Sequence, residues 1–157
     1  MKDDESLPME TARNLGYLGL VPFIVGAVAP WIFYDAGEWF THALLWYSLA
    51  IFSFLCGSIW GVVLQAPVPM RKVHLIVAKC FLVLGWIAIF LPPAQGLGML
   101  IVCYVALYFW ERCTHLKFTL GADYLHLRQQ LTWPAIACHM LALFNVIRAA
   151  EVLSVAQ

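Results

Sequence analysis

Apolar residues run along this chain in long blocks, not in the alternation of a strand or the narrow stripe of a soluble helix. Five blocks approach the roughly 20 residues that a membrane helix needs: 15–34, 43–65, 74–92, 97–113 and 133–149. The segments between them carry turn chemistry. DAGEWF at 35–40 is short and acidic, APVPMRK at 66–72 holds two prolines and two cations, and PPAQG at 92–96 is tight and uncharged. The longest break, THLKFTLGADYLHLRQQLT at 114–132, is too polar to span. Tyr124, Leu127 and Leu131 recur there at helical spacing after Asp123, an expected N-cap, so the pattern predicts a short helix on the membrane surface.

The expected fold is therefore all-α: a polytopic membrane helical bundle of five transmembrane helices, with a short interfacial helix before the last span. Residues 1–14 form a tail, 15–149 the transmembrane domain and 150–157 a short C-terminal tail. Composition strengthens this reading. Of 157 residues, 63% are hydrophobic and 11% charged, against roughly 45–50% and 25% in average soluble domains. One soluble core of this size cannot hide so much apolar surface. The formal net charge is zero, which argues against nucleic acid as a partner.

Cations choose an orientation. Lys2, Arg13, Arg71, Lys72, Arg112, Lys117 and Arg128 fall on one side of the proposed spans, and Arg148 alone on the other. That bias puts the N-terminus inside and predicts a retained acidic tail. Cys56, Cys80, Cys103, Cys113 and Cys138 show no C-x-x-C spacing and sit mostly in apolar runs, so they read as small buried hydrophobes.

In lipid, burial alone does not join helices, and close backbone approach must. Ser53, Gly57 and Gly61 recur at steps of four in the second block, with Trp46 and Trp60 nearby. Pro22, Gly26 and Pro30 do the same in the first. These residues form a candidate face for helix packing or for a partner, and the two prolines are expected to bend their helix. The tryptophan N–H groups want acceptors, for which Ser48, Ser53, Ser58 and Gln65 are candidates.

Ionisable groups inside a bilayer are the leading pointers to function. Gln65, Lys79, Glu111 and His139 lie at similar inner depth in the proposed topology and form a candidate polar pocket for a headgroup, a quinone ring or a proton path. Their plain reading is a snorkelling lysine, an interfacial glutamate and a histidine bonding a neighbouring helix. On the other side, Arg148 is expected to pair with Asp35 or Glu38, near Asn145 and His42. Haem ligated by two histidines needs both at matching depth. Only His139 lies well inside, while His42, His74, His115 and His126 lie at span ends. No cofactor is predicted, with b-type haem or quinone as the weaker alternative, and no zinc motif, phosphate loop or nucleophile elbow occurs.

LGYLGLVPFIVGA at 15–27, YSLAIFSFLCGSIWGVVL at 47–64 and YLHLRQQLT at 124–132 resemble the bacterial membrane family catalogued as domain of unknown function 3429. Its mitochondrial relatives are called transmembrane protein 69. The matching motif positions are Gly16, Pro22, Phe23, Tyr47, Ser53, Phe54, Gly57, Trp60, Gly61, Arg128 and Thr132, with Cys56 where the family usually has glycine. The resemblance implies a small multi-pass protein of the bacterial inner (cytoplasmic) membrane and supplies no activity.

Three functions fit. The first is a non-enzymatic accessory or assembly subunit that docks on a larger membrane complex, through a membrane-protein partner or self-association. The second is a small transporter or lipid- or quinone-handling protein using the inner polar pocket. The third is a membrane enzyme or cofactor binder.

Overall fold

The computed structural model describes residues 3–65, 67, 69–114 and 116–155; for 3–9, 153 and 155 it describes the backbone alone. Lys2 and His115 lie outside the described residues. Among the described residues six α-helices follow one another: α1 (Asp3–Ile32), α2 (Gly37–Gln65), α3 (Arg71–Ala88), α4 (Pro93–Cys113), α5 (Leu116–Leu120) and α6 (Ala122–Val155). A 3-10 turn at Tyr34–Ala36 joins α1 to α2. No strand occurs among the described residues.

Among the described residues four stretches are long and apolar enough to cross a membrane: Glu10–Ile32, Tyr34–Gln65, Pro93–Cys113 and Ala122–Val152. The third expected span, α3, is not among them. It has 18 residues, about 27 Å at 1.5 Å per residue, and it carries Arg71, Lys72 and Lys79.

Local chemistry sets the breaks. Met70 takes a left-handed conformation with φ 57° just before α3. Pro92 is extended, and Pro93 opens α4 at the first helical position, where its missing N–H leaves no bond unmade. Gly121 has φ +78°, a region that costs other residues a steric penalty, and it separates α5 from α6.

That last break corrects two expectations. Helix α6 begins at Ala122, so Asp123 sits inside its first turn, where a carboxylate favours the helix dipole. The segment of Tyr124, Leu127 and Leu131 is not a separate surface helix. It is continuous with the last span through Pro134, giving 34 residues or about 51 Å. Proline there costs one bond, the Gln130 carbonyl losing its i+4 donor, and the helix continues through it.

Side-chain contacts give the arrangement. Helices α1 and α2 are antiparallel, with Gly26 facing Leu44 and the Tyr47 hydroxyl donating to the Gly19 carbonyl at 2.9 Å. Helices α2 and α3 are antiparallel, with Gly85 against Phe52 and Trp60 Nε1 donating to the Leu75 carbonyl at 3.3 Å. Helix α4 returns along α3, with Ala88 against Gly96 and His74 against Trp110. Helix α6 packs antiparallel to α4, with Tyr108 against Trp133 and Tyr104 against His139. It packs parallel to α1, with Gly16 against Leu131, Phe23 against His139, and Trp31 against Phe144. The core is Phe23, Leu44, Leu45, Phe52, Ile59, Leu97, Leu100, Tyr104 and Leu107.

Outward faces are apolar as well. Leu18, Val21, Ile24, Val28, Phe54, Val83, Ile87, Val102, Phe109, Leu141 and Phe144 are all exposed. A soluble protein does not present such a surface over its whole circumference; a bundle solvated by lipid does.

Candidate functional site

The two small-residue stripes behave differently. In α1, Gly26 and Pro30 are buried, and a Cβ at Gly26 would lie 2.9 Å from Leu44 Cβ. Pro22 on the same stripe is exposed. In α2, a Cβ at Gly57 or Gly61 would meet nothing within 4 Å. Trp60 is exposed and reaches back to the α3 backbone, not to a serine. Ser53 and Ser58 donate to the carbonyls four residues earlier, Leu49 and Phe54. Gly57 and Gly61 thus line no contact among the described residues. The closest backbone approach is elsewhere: a Cβ at Gly96 would lie 2.5 Å from the Ala88 carbonyl oxygen. The PPAQG turn carried that glycine in plain sight, but only as a turn residue.

The four inner polar residues do not gather. Gln65 and Lys79 are exposed. Glu111 and His139 are buried, at 1% and 0% exposure, but they face different partners. His139 Nδ1 lies 2.7 Å from the Ala135 carbonyl. A carbonyl only accepts, so the proton sits on Nδ1 and Nε2 carries a lone pair. Nε2 has no hydrogen-bond partner among the described residues, and neither has the buried Ser48 hydroxyl. Phe23 and Tyr104 cover the imidazole, each with ring centroids 5.5 Å away, and the Tyr104 hydroxyl donates to the Ser48 carbonyl at 2.9 Å.

Glu111 meets a residue that sequence reasoning placed on the surface. Arg128 is 5% exposed. Its Nε donates to Glu111 Oε2 at 3.0 Å, its Nη2 to Glu111 Oε1 at 3.4 Å, and its Nη1 to Thr132 Oγ1 at 3.3 Å. The signal was present: Arg128 and Thr132 are one turn apart on α6, and both stand in the LRQQLT motif. Because α6 is one continuous helix, this turn is drawn into the bundle instead of lying on its surface.

The ion pair stands beside a cavity of about 590 Å³, within the roughly 300–1,000 Å³ of small-molecule sites. Gly16, Gly19, Leu20 and Phe23 of α1 form one wall. Ile51, Phe54, Leu55 and Ser58 of α2 form a second, and Tyr124, Leu127, Arg128, Leu131 and Thr132 of α6 a third, with Tyr104 of α4 behind. The cleft exists because α1 touches α2 closely only towards their connecting turn. Below Gly19 the two helices leave a gap. Gly16 lets α1 approach α6, where a Cβ would meet Leu131 Cδ1 at 2.6 Å. Tyr17 latches the same pair by donating to Gln130 Oε1 at 2.9 Å. The lining is largely apolar; Tyr124, Arg128 and Thr132 of α6 stand towards one end, Ser58 stands on the α2 wall, and Tyr104 stands towards the other end beside Phe23.

At the opposite end of the bundle, Arg148 makes no salt bridge with Asp35 or Glu38 among the described residues. Its guanidinium sits 5.6 Å from the Trp31 ring centroid, and the aromatic face takes the role expected of a carboxylate. Of the cysteines, Cys56 and Cys103 are buried, but Cys80 and Cys113 are exposed on α3 and at the end of α4; outward faces are apolar here, so an apolar run does not imply burial. Among the described residues no three His, Cys, Asp or Glu side chains form a metal-binding group.

Apolar helices with apolar exteriors, packed about a buried ion pair and a lateral cleft, define a multi-pass integral membrane bundle. The chain belongs to the family described as "Protein of unknown function (DUF3429)", whose model matches residues 8–144. The match takes in the cleft, the ion pair and His139. No curated protein and no solved structure matches the chain.

Proposed function

We propose that this chain is a bacterial inner-membrane protein that holds a membrane amphiphile in the cleft between α1, α2 and α6. One observation carries the reading: a largely apolar cavity of about 590 Å³ is lined towards one end by Arg128, which is held in a buried, hydrogen-bonded pair with Glu111. An amphiphile has the matching parts, an apolar body and a polar group. The reading keeps the lipid- or quinone-handling idea and moves its polar residues. Arg128, Thr132 and Glu111 take the place given to Gln65, Lys79 and His139.

Five spans with the N-terminus inside fit this reading. Helix α3 runs antiparallel along both α2 and α4, and Ile76, Val83, Leu84 and Ile87 face outward on it. Lys79 is then a cation on a lipid-facing helix that snorkels to the headgroups. The bias of positive charge puts the polar end of the cleft towards the cytoplasm.

The accessory-subunit reading draws support from the open face at Gly57 and Gly61, where a second helix has room to approach. It is the second reading, because nothing else marks that face.

Mass spectrometry of the intact protein, released from its native membrane in mild detergent, tests the first reading. The wild type is expected to carry one stoichiometric amphiphile. Gly19→Leu is expected to lose it, since a Cβ at Gly19 meets only the Tyr47 hydroxyl at 3.7 Å and the larger side chain has the cleft to fill. A wild type with no adduct, or adducts identical in both proteins, contradicts the proposal.

A further inference from the structure

The polar end of the cleft also states what kind of head it accepts. A guanidinium has five N–H donors. Three are engaged, by Glu111 twice and by Thr132. One N–H on Nη1 and one on Nη2 therefore have no acceptor among the described residues, on a side chain that lines the cleft and is 5% exposed. Unused donors at such depth call for an oxygen acceptor. Charge then selects among acceptors. Arg128 and Glu111 together sum to zero, so a phosphate or carboxylate here would be a third buried charge with no counter-ion. It would have to draw Arg128 off Glu111 to be compensated. A carbonyl oxygen needs no such exchange.

We infer, resting on the cleft reading above, that the ligand is an uncharged amphiphile whose carbonyl oxygen accepts hydrogen bonds from Arg128 while its apolar part lies along Phe23, Phe54 and Leu127. Two membrane sources share that chemistry: the ring carbonyl of an isoprenoid quinone and the ester carbonyl of a neutral acylglycerol. The aromatic rings of Phe23, Phe54, Tyr104 and Tyr124 line the cleft and suit either.

The test is equilibrium binding to the delipidated full-length protein in uncharged detergent. Four probes are used: a short-tailed benzoquinone, dioleoylglycerol, dioleoylphosphatidylglycerol and oleate. At least one uncharged probe is expected to saturate, about tenfold or more tighter than both anions, and which one identifies the source. Arg128→Lys keeps a cation beside Glu111 but loses the fork. It is expected to weaken that probe by about tenfold, the weight of one charge-assisted hydrogen bond, without loss of the folded fluorescence spectrum. Should Arg128→Lys fail to fold, the double variant Glu111→Gln with Arg128→Met serves in its place. It removes the guanidinium donors without stranding a buried charge and is expected to weaken the uncharged probe by about tenfold or more. Tighter binding of an anion to the wild type overturns the inference and leaves the cleft reading standing. Saturation by no probe overturns both. Uncharged-probe binding that Arg128→Lys, or the double variant in its place, leaves unchanged overturns the placement of the head at Arg128.

Discussion

Removing one partner of the Arg128–Glu111 pair strands the other as a buried charge, and the structure sets the size of the effect. At the 3.0 Å separation of Arg128 Nε and Glu111 Oε2, attraction at an effective dielectric of 20 is about 5.5 kcal/mol. Desolvation of two ions offsets much of that in the wild type, so the pair adds little net stability. The single variants feel the asymmetry. Glu111→Gln leaves a guanidinium of 6% side-chain exposure without its counter-ion, and Arg128→Gln leaves a carboxylate of 1% exposure in the same position. Each is expected to cost about 3–5 kcal/mol. The double variant pairs two amides with no charge to strand and is expected to fall within about 2 kcal/mol of the wild type. Steric trapping in bicelles gives the four free energies. The expected coupling energy, at least about 4 kcal/mol in magnitude, stands well above the roughly 0.5 kcal/mol of independent sites. Single variants that cost under about 1 kcal/mol each and simply add would refute the reasoning.

Other consequences follow from the packing. Gly96→Ala drives a Cβ to 2.5 Å from a backbone oxygen that cannot swing aside, and is expected to destabilise by about 1–3 kcal/mol, whereas Gly57→Ala and Gly61→Ala stay within about 0.5 kcal/mol; denaturant titration of the three variants decides it. Gly26→Ala meets Leu44 Cβ at 2.9 Å and is expected to fall between them, because that atom can move only with its helix. Ser48→Ala removes a buried hydroxyl that has no partner among the described residues and keeps the carbonyl that Tyr104 uses, so unfolding should show no loss, or a gain of up to about 1 kcal/mol. Cys113 is exposed at the end of α4. An impermeant maleimide is expected to label it in inside-out vesicles and not in spheroplasts, if the cleft's polar end faces the cytoplasm.

Helix positions were legible because lipid demands long apolar blocks, and α2 and α4 end where their expected blocks do; α1 begins at Asp3, so most of the stretch read as a tail is helical. The turn at Pro92 and Pro93 was legible for the same local reason that it forms. Rotation was not. Hydropathy is the same all round a lipid-bathed helix, so nothing in the spacing of Ser53, Gly57 and Gly61 tells inside from outside. The partner face of α2 is instead Leu44, Ser48, Phe52, Cys56, Ile59 and Val63, a mostly apolar set that reads like any lipid-facing run. The site was missed for a related reason. Arg128 stands in a polar stretch, and polar stretches were assigned to the surface; only the continuation of α6 through Pro134 carries it against Glu111. Depth along the sequence placed Lys79 beside Glu111, but α3 turns that lysine outward. The family motif held the better clue, since Arg128, Thr132, Phe23, Phe54 and Gly16 all stand in it and all line the cleft.

The central claim is that the cleft holds one class of amphiphile, not bulk lipid. Photocrosslinking in native membranes tests it most directly, with benzoylphenylalanine at Leu127, which lines the cleft, and at Ile87, which faces outward. The account predicts that Leu127 adducts are enriched in a single amphiphile and that Ile87 adducts follow the bulk membrane composition. The same distribution at both positions would contradict it.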